Sequence, residues 1–187
     1  YDCDEAAEVT DPGAEKFAMA SYDYTKPGYL TDSITVYGVV DGSKFVDAEI
    51  PAGKALVSTG VSVKFGLNSG DSITLDEKYK RDTSYKLDIA GVYDYESSLA
   101  VFMNIDDFAR TFGEEEGYFT GYFSNTELTG LPDDDVATVI TASDYTKLST
   151  QLMVSMGGMM NLIKWFGALF FIIVVYVLCK QAIERNF

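Results

Sequence analysis

The segment nearest to a recognised chemistry is Gly38-Val39-Val40-Asp41-Gly42-Ser43-Lys44, which has the flavour of a glycine-rich phosphate loop. Such loops place a longer gap between their glycines and follow the lysine with Ser or Thr. Here Ser43 precedes Lys44, so no backbone cradle with a following hydroxyl is specified. A strand end, a turn and another strand account for the segment. Ser43 and Lys44 do not make a serine–lysine catalytic pair either, because neighbours on an extended chain project to opposite sides. Two acidic runs, Glu114-Glu115-Glu116 and Asp133-Asp134-Asp135, carry enough charge to attract Ca²⁺. Calcium loops alternate their ligands so that oxygens converge, whereas consecutive carboxylates diverge, and both runs read as solvated loop charge.

The chain has no histidine, which removes Ser-His-Asp and Cys-His nucleophile systems and every histidine metal site. Its two cysteines, Cys3 and Cys179, stand at opposite ends and define no disulfide framework. We therefore expect no enzyme: no catalytic residues, no metal site and no cofactor bound by this chain. Tyr93, Tyr95, Tyr118, Phe119, Tyr122 and Phe123 have two readings, as the lining of a substrate groove or as core and cross-strand pairs.

The elements that would position these residues follow from composition. The chain has 187 residues, is 47% apolar and carries a formal charge of −15. Residues 1–150 hold 28 acids against 11 bases, and residues 151–187 are net basic. So acidic a surface repels phosphate backbones, and nucleic acid is excluded as a partner. The content of 12 Phe, 13 Tyr and one Trp supplies apolar surface to offset chain entropy, which excludes disorder. The opening Tyr1-Asp2-Cys3 has no apolar leader, and a longer polypeptide with an upstream span is expected.

Residues 165–179, WFGALFFIIVVYVLC, contain no charge and span about 22 Å as a helix, short of the ~30 Å hydrocarbon layer. Extending back to Met159 brings the length to about 31 Å and takes in Asn161 and Lys164 near one end, where Lys164 can snorkel to the interface. This is a transmembrane helix, and the lipid bilayer is its partner. Lys180 and Arg185 follow it, so the positive-inside tendency puts the C-terminus in the cytoplasm and residues 1–158 outside. Ser143 precedes Asp144 as a helix cap, and no proline follows, so one helix of about 40 residues is expected. Its parts are a stalk over 144–158, a span over 159–180 and a cytoplasmic start over 181–187. Gly157 and Gly158 permit either a bend or close helix packing. Gly157, Asn161, Lys164 and Ala168 recur at spacings of 4, 3 and 4, a small and polar stripe against which other spans would pack.

Upstream, short runs rich in β-branched and aromatic residues alternate with turn signals. Strands are expected over 17–24, 34–40, 72–75, 85–93, 99–103, 118–123 and 136–141. Asn104 and Gly113 bracket IDDFARTF as N-cap and C′ glycine of a two-turn helix. Val61, Val63, Phe65 and Leu67 alternate like a strand, yet Ser58 before and Gly66 after would also frame a short helix. Residues 1–15 read as a polar lead-in loop. The fold class is α+β, a mainly antiparallel domain over 1–143 on a stalk helix that continues into the membrane.

In order along the chain, Gly66-Leu67-Asn68-Ser69-Gly70-Asp71-Ser72-Ile73-Thr74-Leu75, then Tyr85-Lys86-Leu87-Asp88-Ile89-Ala90-Gly91-Val92-Tyr93, then Met103-Asn104 with Phe108 and Phe112-Gly113, resemble the MacB-like extracytoplasmic core domain of FtsX-like ABC transporter permeases. The closing apolar helix followed by Lys180-Gln181-Ala182-Ile183-Glu184-Arg185-Asn186 is similar to the second span of Gram-positive members. The resemblance favours a helix at 61–65. It implies a multi-pass permease in the cell membrane, driven by a separate cytoplasmic ATPase that binds the ATP. The stalk would pass motion outward for export or mechanotransmission. Implied partners are that ATPase, other permease helices or a second copy, and a peptide or lipid-linked substrate. The alternative is a singly anchored extracellular receptor or adhesion domain with no transport role.

Overall fold

A computed structural model describes residues 2–3, 9, 11–80, 82–128 and 136–185, with residues 2, 3, 136, 137 and 142–158 described by their backbone alone. The acidic run at 133–135 and the turn at 130–132 lie outside the described residues. The chain divides into two units, Tyr1–Val139 and Ile140–Phe187.

The first unit is built on a long antiparallel hairpin. Strands β2 (Glu15–Tyr24) and β3 (Asp32–Val39) pair from Phe17↔Val39 to Tyr24↔Asp32. Five further strands extend it, β4 (Ala55–Ser58), β5 (Ser72–Asp76), β6 (Ser84–Tyr93), β7 (Ala100–Asn104) and β8 (Gly121–Phe123): β5 and β8 pair with β2, β7 pairs with β3, and β4 and β6 lie between β7 and β5. Strands β1 (Asp2–Cys3) and β9 (Val136–Thr138) complete one sheet. Helix α1 (Thr59–Phe65) follows β4 directly, and helix α2 (Ile105–Phe112) follows β7 directly.

The sheet is mainly antiparallel, as expected, but not purely so. β3 pairs with β7, and β4 with β6, in parallel. Period-two patterning assigns faces to a strand but is silent about its neighbour's direction. Parallel pairing needs a crossover, and α1 with β5 supplies one between β4 and β6. Pairing runs β2-β3-β7-β4-β6-β5 and returns to β2 through the single pair Asp23↔Asp76, so six strands close a circuit.

Alternation along these strands fills the inside of the circuit. Ile34 and Val36, Ile73 and Leu75, Leu87 and Ile89, and Val101 and Met103 are all buried in one cluster. Phe65 of α1 and Phe108 and Phe112 of α2 join them. Gly38 makes room for α2: a Cβ there would lie 2.8 Å from the Phe108 Cβ. The opposite alternation builds a second cluster from Val39, Leu56, Ala100 and Phe102, on which Val46 packs from the segment 43–54.

Both short helices are framed as their sequences dictate. Ser58 accepts from the Val61 amide and Gly66 closes α1 at φ 71°, which settles residues 61–65 as helix. Asn104 accepts from the Asp106 amide and Gly113 closes α2 at φ 77°. Other expectations need adjustment. The strand expected after Gly42 is irregular chain over 43–54, and the strands expected at 118–123 and 136–141 shorten to β8 and β9. β4 was not anticipated, and β1 lies inside the expected lead-in loop.

The second unit contains helix α3 (Ala142–Arg185), 44 residues and about 66 Å long at 1.5 Å per residue. It starts two residues earlier than the Ser143 cap predicts, so Ser143 lies inside the first turn. It runs uninterrupted through Gly157 and Gly158.

Candidate functional site: an apolar helix and a pinned cleft

Within α3 the 27 residues Met159–Arg185 are long and apolar enough to cross a membrane, and none of that surface is buried in the protein. Trp165, Phe170 and Phe171 are about 70% exposed, an arrangement that soluble proteins avoid because contiguous apolar surface drives association. Its charges are confined to the ends: Lys164 near the start, then Lys180, Glu184 and Arg185. Lys180 and Glu184 lie 3.8 Å apart, one turn from each other. Cys179 is a free, exposed thiol.

Helical geometry puts Gly157, Asn161, Lys164 and Ala168 within an arc of about 60° on one face, while Gly158 sits about 100° off that stripe. Asn161, Lys164 and Ala168 are exposed.

In the first unit the residues of the phosphate-loop lookalike serve a turn. The Ser43 hydroxyl donates to Glu15 Oε2 at 2.7 Å and accepts from the Phe45 and Val46 amides. The Lys44 amide donates to both Glu15 oxygens at 3.0 and 3.1 Å. The other end of the irregular segment is held by α2: buried Asp107 accepts from the Gly53 amide at 2.6 Å and is gripped on its second oxygen by Arg110. Segment 43–54 is thus an arch pinned at both ends by carboxylates. Beside it, Asn104 Nδ2 donates to Asp41 at 2.8 Å while its Oδ1 caps α2. Between arch, turn and cap lies a cleft of about 730 Å³ with Val39, Val46 and Ile50 on its apolar side.

The aromatic residues weighed as a groove are structural. Phe123 stacks on Phe17 at 4.3 Å, Tyr93 and Tyr95 meet Phe102 edge-on, and Tyr118 lies parallel to Phe108. Phe119 and Tyr122 pack together in a small core of their own. Burial raises the Tyr22 phenol above its ordinary range, with nearby Tyr85, Glu77 and Glu114 adding to the effect. Tyr85 is raised by desolvation and by Glu77, to which it donates a hydrogen bond. Among the described residues no three His, Cys, Asp or Glu side chains are grouped to hold a metal ion.

Three polar residues organise this unit, and sequence reasoning missed two of them, Glu15 and Asp107, while it read Ser58 only as a helix start. Ser58, fully buried, donates to the Ser98 carbonyl and accepts from the Val61 and Ala100 amides. Its position before a helical run announced the cap but not the two further bonds to Ser98 and Ala100. Glu15 and Asp107 reach partners 28 and 54 residues away in sequence, and no local pattern announces such bonds.

Neither a protein-family model nor a curated protein sequence matches this chain. Among solved structures, the extracellular domain of the noncanonic ABC-type transporter YknZ from Gram-positive bacteria aligns at 14% identity with a TM-score of 0.42. The alignment covers 62% of this chain and 66% of that one, just under two thirds of its length. At that score nothing about function transfers.

Proposed function

We propose that this chain is the extracytoplasmic domain and following membrane span of an ABC transporter permease subunit. The observation that carries the reading is α3, one unbroken helix whose Met159–Arg185 part is apolar and unburied. Only lipid or other spans satisfy such a surface. The ordered motifs over 66–75, 85–93 and 103–113 support the permease class. In this reading residues 1–158 stand outside, 159–180 cross the bilayer and 181–187 begin the cytoplasmic part of a multi-pass protein. The subunit performs no chemistry of its own; ATP is hydrolysed on a separate cytoplasmic subunit.

A continuous helix suits mechanical coupling, because its hydrogen-bond ladder resists local bending and passes displacement along its axis. The stripe through Gly157, Asn161, Lys164 and Ala168 would pack on neighbouring spans, with Gly158 beside it easing close approach.

The test is mild detergent extraction of the full-length parent from its native membrane. Co-purification of an ATPase supports the permease reading; a single-span protein without one replaces it with an anchored receptor. Within the complex, Pro at Met160 or Ile163 should abolish transport-coupled ATPase stimulation while the outer unit stays folded. Undiminished coupling in both variants would sink the mechanical role of the helix.

A further inference from the structure

The cleft beneath the 43–54 arch has features that none of its structural bonds require. We propose that it binds a ligand carrying an ammonium or guanidinium group on an apolar body.

The arch is preformed, since Glu15 holds Ser43 and Lys44 at one end and Asp107 holds Gly53 at the other. Its volume of about 730 Å³ suits a small organic molecule, for which sites of 300–1,000 Å³ are usual. Val46 is buried and Ile50 half-buried, so an apolar body entering here leaves water against fixed side chains. Three carboxylates line the opening, Asp41, Asp47 and Glu49, and no Lys or Arg lines it. Asp41 spends one oxygen on Asn104. Asp47 and Glu49 are exposed, and neither has a hydrogen-bond or ion-pair partner among the described residues. The contrast with Glu15 and Asp107 is informative: two carboxylates build the arch and two more serve no structural bond.

Charge then selects the ligand. The N-terminal end of α2 borders the cleft, but its partial positive charge is answered within the helix by Asp106 and Asp107. The remaining field at the opening is negative, and the unit's acidic surface reinforces it. Lys44 and Lys54 lie on the same segment but outside the lining, so the charged groups that line the cleft itself are Asp41, Asp47 and Glu49 alone. A cation gains charge-assisted hydrogen bonds to Asp47 and Glu49 at the rim while its apolar part reaches Val46 and Ile50.

The inference concerns the unit Tyr1–Val139 alone, so its failure leaves the membrane reading standing, and the reverse holds too. The test uses the full chain in nanodiscs of zwitterionic lipid, titrated with 4-phenylbutylamine and with its neutral twin 4-phenylbutanol. Methyl NMR of Val46 and Ile50 reads the site itself rather than partition into lipid. Saturable shifts are expected with the amine, and about tenfold weaker binding with the alcohol. The double variant Asp47→Asn with Glu49→Gln should weaken the amine about tenfold. Glu115→Gln with Glu116→Gln, the same charge change away from the arch, should leave it nearly unaltered. Absence of saturable shifts, equal binding of the alcohol, or equal weakening in the two double variants would each overturn the proposal.

Discussion

The two units of this chain solve opposite problems of burial. The unit Tyr1–Val139 puts its apolar residues inside a closed circuit of strands and covers itself with carboxylates. Within the unit Ile140–Phe187, residues 159–185 put their apolar side chains outside and keep their charges towards the two ends. The difference teaches that burial is defined by the solvent. The first unit hides Ile34 and Leu75 completely, whereas the second exposes Ile172 and Phe171, a surface that the proposed lipid surroundings would satisfy. Polar backbone is handled differently as well. α3 satisfies its own amides along the helix, whereas the sheet needs partners far apart in sequence and a polar hub at Ser58.

The largest effect expected is on the first unit. Phe108→Ala should remove about 3–5 kcal/mol of its stability, because the ring fills the space Gly38 leaves open. Hydrogen exchange of β3 and β7 amides would measure the loss while α3 amides stay protected. Loss of protection in both units at once would show that they fold as one.

The converse substitution, Ile172→Arg, strikes the second unit. An arginine at the centre of a span costs about 2.5–3.5 kcal/mol on insertion scales. Alkaline carbonate extraction should then release more of the chain from membranes, with exchange in the first unit unaltered. A chain equally retained would deny that this helix meets hydrocarbon.

Ser58→Ala is the third test and sharpens the contrast in polar bookkeeping. It strips acceptors from two buried amides and should cost about 1–3 kcal/mol, measured by urea unfolding of the first unit.

Alkaline pH gives a graded effect confined to the first unit. Tyr22 and Tyr85 have raised folded-state pKa values, chiefly through burial, so the folded state keeps their protons longer than the unfolded chain does. The stability this represents is complete below the unfolded tyrosine pKa, about 10, and is lost as pH rises above it. The slope is at most about 1.4 kcal/mol per pH unit for each group. Tyr22→Phe should flatten it.

The smallest effect belongs to the Lys64–Asp32 pair at 2.6 Å, which is solvent-facing. Asp32→Asn should change stability by less than about 1 kcal/mol, and added salt should shrink even that.

Much of the fold was legible where the signal is local. Asn104 and Gly113 announced α2 because a cap and a left-handed glycine act within a single turn. The strand at 72–75 alternates strictly and that at 85–93 alternates as far as Ile89, and both stand out as β-branched and aromatic runs between turn signals. The short β4, by contrast, is buried on every residue, ALVS, and so has no alternation to read. Glu15 and Asp107 looked like any other acids until the fold brought them to the ends of the arch.

What the sequence alone determined is the division into an acidic half and an apolar helix. Charge and hydropathy are sums over neighbouring residues, and no folding is needed to take them. What only the tertiary structure decided is who pairs with whom: the parallel partners of β3 and β4, the closing of the circuit at Asp23, and the pinning of segment 43–54. Those depend on which distant surfaces fit once the chain has collapsed, and fit is a property of three-dimensional packing that no window along the chain contains.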